Sequence, residues 1–314
     1  MPAKQSASQP TRALADHAQG TVIATHGHRM LVAVDGEPGP LREAFSRGRR
    51  SDACVGDRVS LSLIGSDQAA VEAIHPRSNL IRRSDGGRSK ALAANIDLAA
   101  IVLAGSPPFS EELLMRVLAV ADTEGVEALI IAGKSDLLDS NEAIEPRLAL
   151  YESMGYGVIR LSAKHDTTQA LATLAPLFKH RTVLLLGQSG MGKSTLINLL
   201  VPEAEQATRE ISEALSSGRH TTSFCRMFRS GANLPESAAI IDSPGFQLFG
   251  IAHVSRSQLM HALPDFRPLL GQCRFANCLH RDEPGCAISA AVERRAIDAR
   301  RHQLYHRLLD DTLA

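Results

Sequence analysis

The most constraining feature of this chain is a glycine-rich string between two apolar stretches. Residues 187–194 read Gly-Gln-Ser-Gly-Met-Gly-Lys-Ser, which matches the pattern G-x-x-x-x-G-K-[ST]. The apolar run 182–186 predicts a buried strand, and the apolar spacing of 195–200 predicts a helix packed on a sheet. Glycines let successive backbone N–H groups surround a phosphate at a helix N-terminus. The string therefore predicts a phosphate-binding loop in an α/β domain, although a glycine-rich turn without a ligand would share its spacing.

The side chains of this loop have distinct predicted roles. Lys193 is expected to reach the β- and γ-phosphates of a nucleoside triphosphate, and the hydroxyl of Ser194 is expected to bind Mg²⁺. The residues predicted to contact the nucleotide in this stretch are Gly187, Gln188, Ser189, Gly190, Met191, Gly192, Lys193, Ser194 and Thr195.

A D-x-x-G string lies downstream of the phosphate loop. The apolar pair at 240–241 predicts a strand that leads into Asp242-Ser243-Pro244-Gly245. Asp242 is expected to hold Mg²⁺ through water, and the N–H of Gly245 is expected to contact the γ-phosphate. The two motifs together are typical of a GTPase.

The polar segment 218–223, between these motifs, is a candidate switch loop. It carries the hydroxyls of Thr221 and Thr222, which can complete the Mg²⁺ and γ-phosphate shell. The segment also fits an ordinary Ser/Thr-rich turn. The predicted Mg²⁺ ligands are Ser194, Thr222 and Asp242.

The base-recognition signals lie upstream of the phosphate loop. The apolar run 126–132 predicts a strand that ends in Gly133-Lys134-Ser135-Asp136. A carboxylate at Asp136 can accept hydrogen bonds from guanine N1–H and N2–H₂, which adenine lacks. A Gly-Lys-Ser-Asp string also fits a solvated turn at a strand end. The residues predicted to bind the guanine side are Lys134, Ser135, Asp136, Ser162, Ala163 and Lys164.

The order of these motifs predicts a circularly permuted G domain. The base loops come first, followed by the phosphate loop, the switch segment and the D-x-x-G string. Domain termini usually lie close together at the surface, so such a permutation can preserve the sheet and its site. Gly133 departs from the Asn usual at the first position of the guanine loop. We expect weaker or less selective nucleotide binding, because Gly cannot tie the base loop to the phosphate loop.

A cysteine-rich stretch near the C-terminus predicts a metal site. Cys273, Cys278, His280 and Cys286 supply three thiolates and one imidazole, enough for a closed tetrahedral Zn²⁺ shell. A closed shell indicates a structural ion that folds a small domain. Disulfide pairing is the alternative, and it is disfavoured by the five cysteines and the nucleotide-type loop, which are typical of a reducing cytosol.

Together these residues resemble one family, the ribosome small-subunit-dependent GTPase A family (RsgA), from about Gly20 to about Leu309. The resemblance is carried by the strings at 55–59, 94–97, 133–136, 187–194, 218–222 and 242–245, and by C-x₄-C-x-H-x₅-C from Cys273 to Cys286. It implies a multidomain α/β protein with an N-terminal OB-fold β-barrel, a central circularly permuted P-loop GTPase and a C-terminal, mostly helical zinc-binding domain. The expected ranges are a flexible tail at 1–19 and domains at 20–80, 91–252 and 253–314.

The resemblance also implies a function. Proteins of this family act in late maturation of the small (30S) ribosomal subunit, with GTP hydrolysis that the subunit stimulates. The expected ligands are GTP or GDP, Mg²⁺ and one structural Zn²⁺. The expected partners are the small subunit and its 16S rRNA, with other assembly factors left open, for a monomer in the cytoplasm.

The residues before the G domain fit a barrel on their own terms. Short β-favouring runs at 20–25, 29–34, 58–63 and 70–74 alternate with turn residues. The formal net charge is zero, so nucleic-acid binding must depend on local basic patches. The arginines predicted to contact RNA are Arg47, Arg49, Arg50, Arg82 and Arg83. A solvated charged face would have the same composition.

The residue after the D-x-x-G string is Phe246, where many GTPases place a Gln that orients water. We therefore expect slow intrinsic hydrolysis. His220 is the candidate catalytic residue, because an imidazole can position water once the loop is ordered, and the family resemblance supports it. His220 can equally cap or pack the loop.

Two other functions fit the same sequence. One is a nucleotide-gated RNA-binding module with negligible hydrolysis, and the other is an ATP-using P-loop protein. No apolar stretch approaches the roughly twenty residues needed to span a membrane.

Overall fold

The computed structural model describes residues 17–26, 29–37, 39–46, 52–85, 88–137, 142–204, 225–229, 231–245 and 249–313 of the 314-residue chain. An N-terminal barrel, a central α/β sheet and a helical C-terminal region follow one another along the sequence. No helix in these ranges combines the length and hydropathy that crossing a membrane requires.

Strands β1 to β5 form the barrel. They are His17–His26, Arg29–Val34, Arg42–Ser46, Arg58–Ile64 and Gln68–Ile74. The strand order is β1-β2-β3-β5-β4, and pairing of β1 with β4 closes the barrel. All neighbours are antiparallel except β3 and β5, which is the arrangement of an OB-fold. Alternate residues such as Val22, Val32 and Leu61 fill its interior.

The structure of this region differs from the sequence analysis in two places. The predicted tail 1–19 overlaps β1, because His17 to Gln19 pair with β4. His17 and Gln19 are polar and exposed, so this end of the strand has little apolar pattern. Strand β3 was not predicted, because its only buried side chain is Ala44 and its Phe45 is exposed.

A hairpin lies between the barrel and the central sheet in the sequence. Strands β6 (Leu80–Asp85) and β7 (Arg88–Ala94) pair with each other in a sheet of their own. Ser84 forms a bridge to Gly250, to whose carbonyl it donates an N–H bond of 2.8 Å. The hairpin therefore contacts the chain shortly after the D-x-x-G string.

Strands β8 to β13 form the central sheet. They are Leu98–Leu103, Glu127–Ala132, Gly157–Arg160, Thr182–Leu186, Arg226–Phe228 and Ala239–Asp242. The order is β10-β9-β8-β11-β13-β12, with all neighbours parallel except β12, which runs antiparallel to β13. Helices α1 (Glu111–Thr123), α2 (Glu145–Ser153), α3 (Thr167–Phe178) and α4 (Lys193–Leu200) follow β8, β9, β10 and β11. Apolar clusters lie on both faces of this sheet.

Polar contacts of Asn95 join the barrel to the chain that enters the central sheet. The Asn95 side chain donates to the Gly56 carbonyl at 2.9 Å and accepts from the N–H of Ser78 at 2.9 Å. Gly56 has φ +90°, and a Cβ there would lie 2.2 Å from the Ala94 carbonyl oxygen, so this turn requires glycine.

The C-terminal region contains α5 (Arg256–His261), a 3₁₀ turn (Arg267–Leu269), α6 (Ala287–Glu293) and α7 (Ala299–Leu313). Arg301 on α7 is almost fully buried, with both arms on Asp265 at 2.8 and 2.9 Å. Its guanidinium lies 5.2 Å from the centroid of the Tyr151 ring on α2. Ion pairs from Arg147 to Asp298 and from Arg300 to Glu111 tie the same surfaces together. This region is therefore packed on α1 and α2.

The most buried charge pair of the barrel joins Asp57 and Arg77. Asp57 is fully buried and receives both arms of Arg77 at 2.7 and 2.8 Å, together with the N–H of Cys54. Arg77 follows the last barrel strand, and its pairing with Asp57 keeps its guanidinium out of an open basic patch.

We predict that Asp57→Asn lowers the free energy of unfolding by about 3 kcal/mol, because Arg77 is left without its counter-charge. Urea unfolding of the whole chain measures this loss. The control is Asp35→Asn, which breaks the exposed pair with Arg58 and is expected to cost less than about 1 kcal/mol. Equal losses in the two variants would contradict the prediction.

Candidate nucleotide site and metal centre

The predicted nucleotide-binding loops meet at one edge of the central sheet. The phosphate loop follows β11, the base loops follow β9 and β10, and the D-x-x-G string follows β13. These strands run parallel, so their carboxyl ends lie on the same side. The loops therefore converge although the chain visits them in permuted order.

Local backbone geometry explains the glycines of the phosphate loop. Gly187 has φ +151°, and a Cβ there would lie 2.4 Å from the Val102 carbonyl oxygen on neighbouring β8. Gly192 has φ +97° and is the residue from which α4 begins. Any other residue at either position would be strained. The loop thus turns tightly from β11 into a helix whose first residue is Lys193.

A cavity of about 450 Å³ lies in front of this loop. Lys193 Nζ is 4.0 Å from Asp242 Oδ1, and both side chains are almost buried. Burial raises the pKa of Asp242, while Lys193 and Arg226 oppose that shift. A Cβ on Gly245 would lie 3.3 Å from the N atom of Ser189, so the D-x-x-G string touches the phosphate loop. The cavity is lined by Lys134, Gln188, Ser189, Gly190, Gly192, Lys193, Ser194, Thr195, Arg226, Asp242, Ser243, Pro244 and Gly245.

A second cavity, of about 300 Å³, lies between the base loops and the start of α4. The Ser162 hydroxyl donates to Asp136 Oδ1 at 2.6 Å and lowers the pKa of that carboxyl. Asp136 is therefore held as a charged acceptor at the cavity wall. Besides Ser162 and Asp136, the lining includes Gly133, Lys134, Ala163, Lys164, His165, Met191, Gly192 and Thr195.

The two cavities adjoin each other. Lys134, Gly192 and Thr195 line both of them. A single elongated ligand can therefore place one end at Asp136 and the other at Lys193. This is the geometry that a purine nucleoside triphosphate requires.

Gly133 lies directly against the phosphate loop. Its N–H donates to the Leu103 carbonyl at 2.8 Å, and a Cβ would lie 3.4 Å from the Met191 carbonyl oxygen. An Asn would therefore start beside the phosphate loop, whereas Gly supplies no side chain for that tie. The neighbouring Lys134 makes a different contact, donating to the Ser106 carbonyl at 2.8 Å.

The loop between β8 and α1 was missed by the sequence analysis. The N–H of Ser110 donates to the Gln188 side chain at 2.7 Å, and Pro107 lies within contact distance of Gly190. This loop supports the phosphate loop from outside. Its turn residues resemble those of any connection, so no motif marks it.

Arg226 and Ser243 were also missed. Arg226 Nη2 lies 3.2 Å from Asp242 Oδ2, and the Ser243 hydroxyl donates to the Leu185 carbonyl at 2.6 Å. Both contacts fix the D-x-x-G string against neighbouring strands. No sequence signal marks Arg226, because a single arginine in a short strand is equally typical of a solvent-exposed strand at the edge of a sheet.

Several predicted residues lie outside the described residues. They are His220, Thr221 and Thr222 of the switch segment, Phe246, and the arginines Arg47, Arg49 and Arg50. Arg82 and Arg83 lie on β6, each partly buried.

The four metal-ligand candidates converge in the C-terminal region. The ligand atoms of Cys273, Cys278, His280 and Cys286 all lie within 4.8 Å of one another. His280 Nδ1 is 3.5 Å from the sulfurs of Cys273 and Cys286, which are 4.0 Å apart. A tetrahedron with Zn–S bonds of about 2.3 Å has S–S edges of about 3.8 Å. The cluster therefore fits a zinc site.

Backbone N–H groups surround these sulfurs. The N–H groups of His280, Ala287 and Ser289 each point to a cysteine sulfur at 3.4 Å, and such donors favour thiolates. On the outer side, His302 and Tyr305 of α7 bond to the carbonyls of residues 280 and 279 at 2.6 and 2.9 Å. The cluster thus fastens its loop to the last helix.

Comparison with known proteins finds a matching family model and similar proteins. A family model described as RsgA GTPase matches residues 74–252. The small ribosomal subunit biogenesis GTPase RsgA of Burkholderia pseudomallei is 47% identical over 311 residues, covering 99% of this chain and 97% of that protein. The protein of the same name from Paraburkholderia phytofirmans is 48% identical over 297 residues, covering 93% and 92%.

Two solved structures share the fold. YloQ, described as a circularly permuted GTPase, has a TM-score of 0.67 at 24% identity and covers 98% of both chains. YjeQ from Thermotoga maritima has a TM-score of 0.68 at 23% identity, covering 95% of this chain and 99% of that one. At these identities the structures show the fold alone. The family model spans more than half of the chain, and the relatives match nearly all of it: the chain belongs to the RsgA GTPase family.

Proposed function

We propose that this protein is a GTPase that acts in late maturation of the small ribosomal subunit. The observation that carries the proposal is the pair of adjoining cavities, one lined by Asp136 and the other by Lys193. The relatives are named for biogenesis of that subunit, which supports the same process for this chain.

Guanine selection is assigned to Asp136. Its carboxylate, oriented by Ser162, accepts hydrogen bonds from guanine N1–H and N2–H₂. On adenine the same carboxylate would face the N1 acceptor and would find no amino group at C2. The Lys134 stem covers the purine face. Since Gly133 provides no tie to the phosphate loop, the base loop depends on these remaining contacts.

Phosphate binding is assigned to the phosphate loop and Lys193. The phosphate loop and the first residues of α4 line the cavity, and Lys193 adds a nearly buried positive charge. Ser194 and Asp242 both line this cavity, and hydroxyl and carboxylate oxygens are the donors that Mg²⁺ prefers. When bound there, Mg²⁺ neutralises charge on the β- and γ-phosphates. Thr222 is the proposed third ligand.

Hydrolysis is assigned to a water molecule that His220 positions. Phe246 occupies the place where many GTPases have Gln, and a phenyl ring cannot hydrogen-bond water, so the intrinsic rate is slow. Binding of the small subunit is proposed to raise the rate, as other GTPases are activated by their partners.

The remaining assignments follow from this role. The OB-fold barrel and the arginines Arg47, Arg49, Arg50, Arg82 and Arg83 are proposed to bind 16S rRNA through its phosphates. The protein acts as a monomer in the cytoplasm, with the GTPase domain at 91–252 and the zinc domain at 253–314. Cys273, Cys278, His280 and Cys286 hold one structural Zn²⁺.

Base readout is tested with Asp136→Asn. An Asn amide pairs with xanthine, whose O2 replaces the guanine amino group, so preference should change from GTP to XTP by roughly 100-fold in relative affinity. Titration with fluorescent nucleotides measures both affinities. Asp166→Asn is the matched control, because Asp166 caps α3 and Asn caps equally well. Equal weakening of GTP and XTP binding by Asp136→Asn would refute the assignment.

The process is tested by adding purified ribosomal subunits to a GTPase assay. Small subunits should raise the turnover at least roughly tenfold, as expected for a GTPase that its partner activates. Large subunits serve as the control for nonspecific RNA effects, and Lys193→Ala should abolish hydrolysis in both samples. Turnover that is identical with and without small subunits would contradict the proposed coupling.

The zinc assignment is tested by metal analysis of the purified protein. We expect about one zinc per chain in the wild type and a large loss in Cys278→Ser, together with a lower unfolding temperature. Cys54→Ser is the control, because Cys54 is a buried barrel residue outside the cluster. Full zinc content in Cys278→Ser would exclude the site.

A further inference from the structure

Arg226 on β12 stands directly beside Asp242 on β13. The antiparallel register pairs these two residues, so their side chains lie on the same face of the sheet. Arg226 Nη2 is 3.2 Å from Asp242 Oδ2, whereas Asp242 Oδ1 is 4.0 Å from Lys193 Nζ. The two carboxylate oxygens are thus divided between two cations.

The Arg226–Asp242 ion pair is nearly buried from solvent. The side chains of Arg226 and Asp242 are only 11% and 8% exposed. The Arg226 guanidinium lies 5.3 Å from the centroid of the Phe228 ring, and its Nε has no hydrogen-bond partner among the described residues. Burying an arginine with an incomplete set of partners is costly, and a well-packed apolar side chain would usually serve stability better.

The position of Arg226 suggests a function that explains why a buried arginine is found here. Arg226 lines the phosphate cavity next to Lys193, Ser194 and Asp242. Its bond to Oδ2 stops the carboxylate from rotating, which leaves Oδ1 directed towards Lys193 and the cavity. A carboxylate that must bind a hydrated cation works best when its unused oxygen is fixed by a neighbour.

We propose that Arg226 is a positioning residue of the nucleotide site, which orients Asp242 for Mg²⁺-dependent binding of the triphosphate. The inference rests on the proposed function, because it needs Mg²⁺ and nucleotide at this cavity. It adds a residue that lies outside every motif of the sequence. The alternative is that Arg226 only braces β12 against β13.

The experiment measures the Mg²⁺ concentration at which binding of a fluorescent GTP analogue is half-saturated. Arg226→Gln should raise that concentration roughly tenfold, as loss of groups bonded to metal-binding side chains typically does. Arg226→Lys should restore part of the effect, because a lysine keeps the charge. The matched control is Arg181→Gln, which breaks an exposed ion pair with Glu127 at the entrance to β11. A titration with the fluorescent GTP analogue in excess EDTA gives the binding that does not depend on Mg²⁺.

Each outcome decides the question. A shifted Mg²⁺ requirement with unchanged binding in EDTA supports the inference. An unchanged Mg²⁺ requirement with a lower unfolding temperature assigns Arg226 to strand bracing and overturns it. Equal loss of binding with and without Mg²⁺ means that Arg226 contacts phosphate directly, which also overturns it. If the wild type binds no guanine nucleotide at any Mg²⁺ concentration, the proposed function itself fails.

Discussion

The parallel pairing of β8, β9, β10, β11 and β13 is the constraint on which the rest of the structure depends. Parallel strands present all their carboxyl ends on one side, whatever the order in which the chain visits them. The base loops can therefore precede the phosphate loop in sequence and still face it across a shared cavity. A circular permutation changes which loop is cut and which termini are joined, and it leaves hydrogen-bonded neighbours unchanged.

The electrostatics of the cavity follow from the same arrangement. Asp242 ends β13 and Lys193 begins the helix after β11, so adjacent strands bring a nearly buried carboxylate and a nearly buried ammonium together. Burial lowers the pKa of Lys193, and the neighbouring carboxylate opposes this shift. With Arg226 nearby, the cavity carries more positive than negative charge and suits a polyanion.

Sequence alone predicted the family, the fold class and the loops that line the two cavities, because each phosphate and base motif is a local string attached to a strand end. The prediction failed where the determinant is not local. The position of Arg226 beside Asp242 depends on the register between β12 and β13. The position of Arg77 depends on its ion pair with Asp57, which lies twenty residues earlier in the chain. Strand β3 and the first residues of β1 carry little apolar pattern, since pairing with neighbours, and not burial, defines them. No sequence rule supplies such pairings.

The junction of the barrel with the central sheet has a mechanical consequence. Strand β12 pairs with β13 on one side and meets β1 on the other, at Ala24 opposite Arg226. The backbone of Arg226 thus borders the OB-fold while its side chain holds the carboxylate of Asp242. A displacement of β1 would therefore be transmitted to Asp242, at the phosphate cavity, through the paired strands β1, β12 and β13.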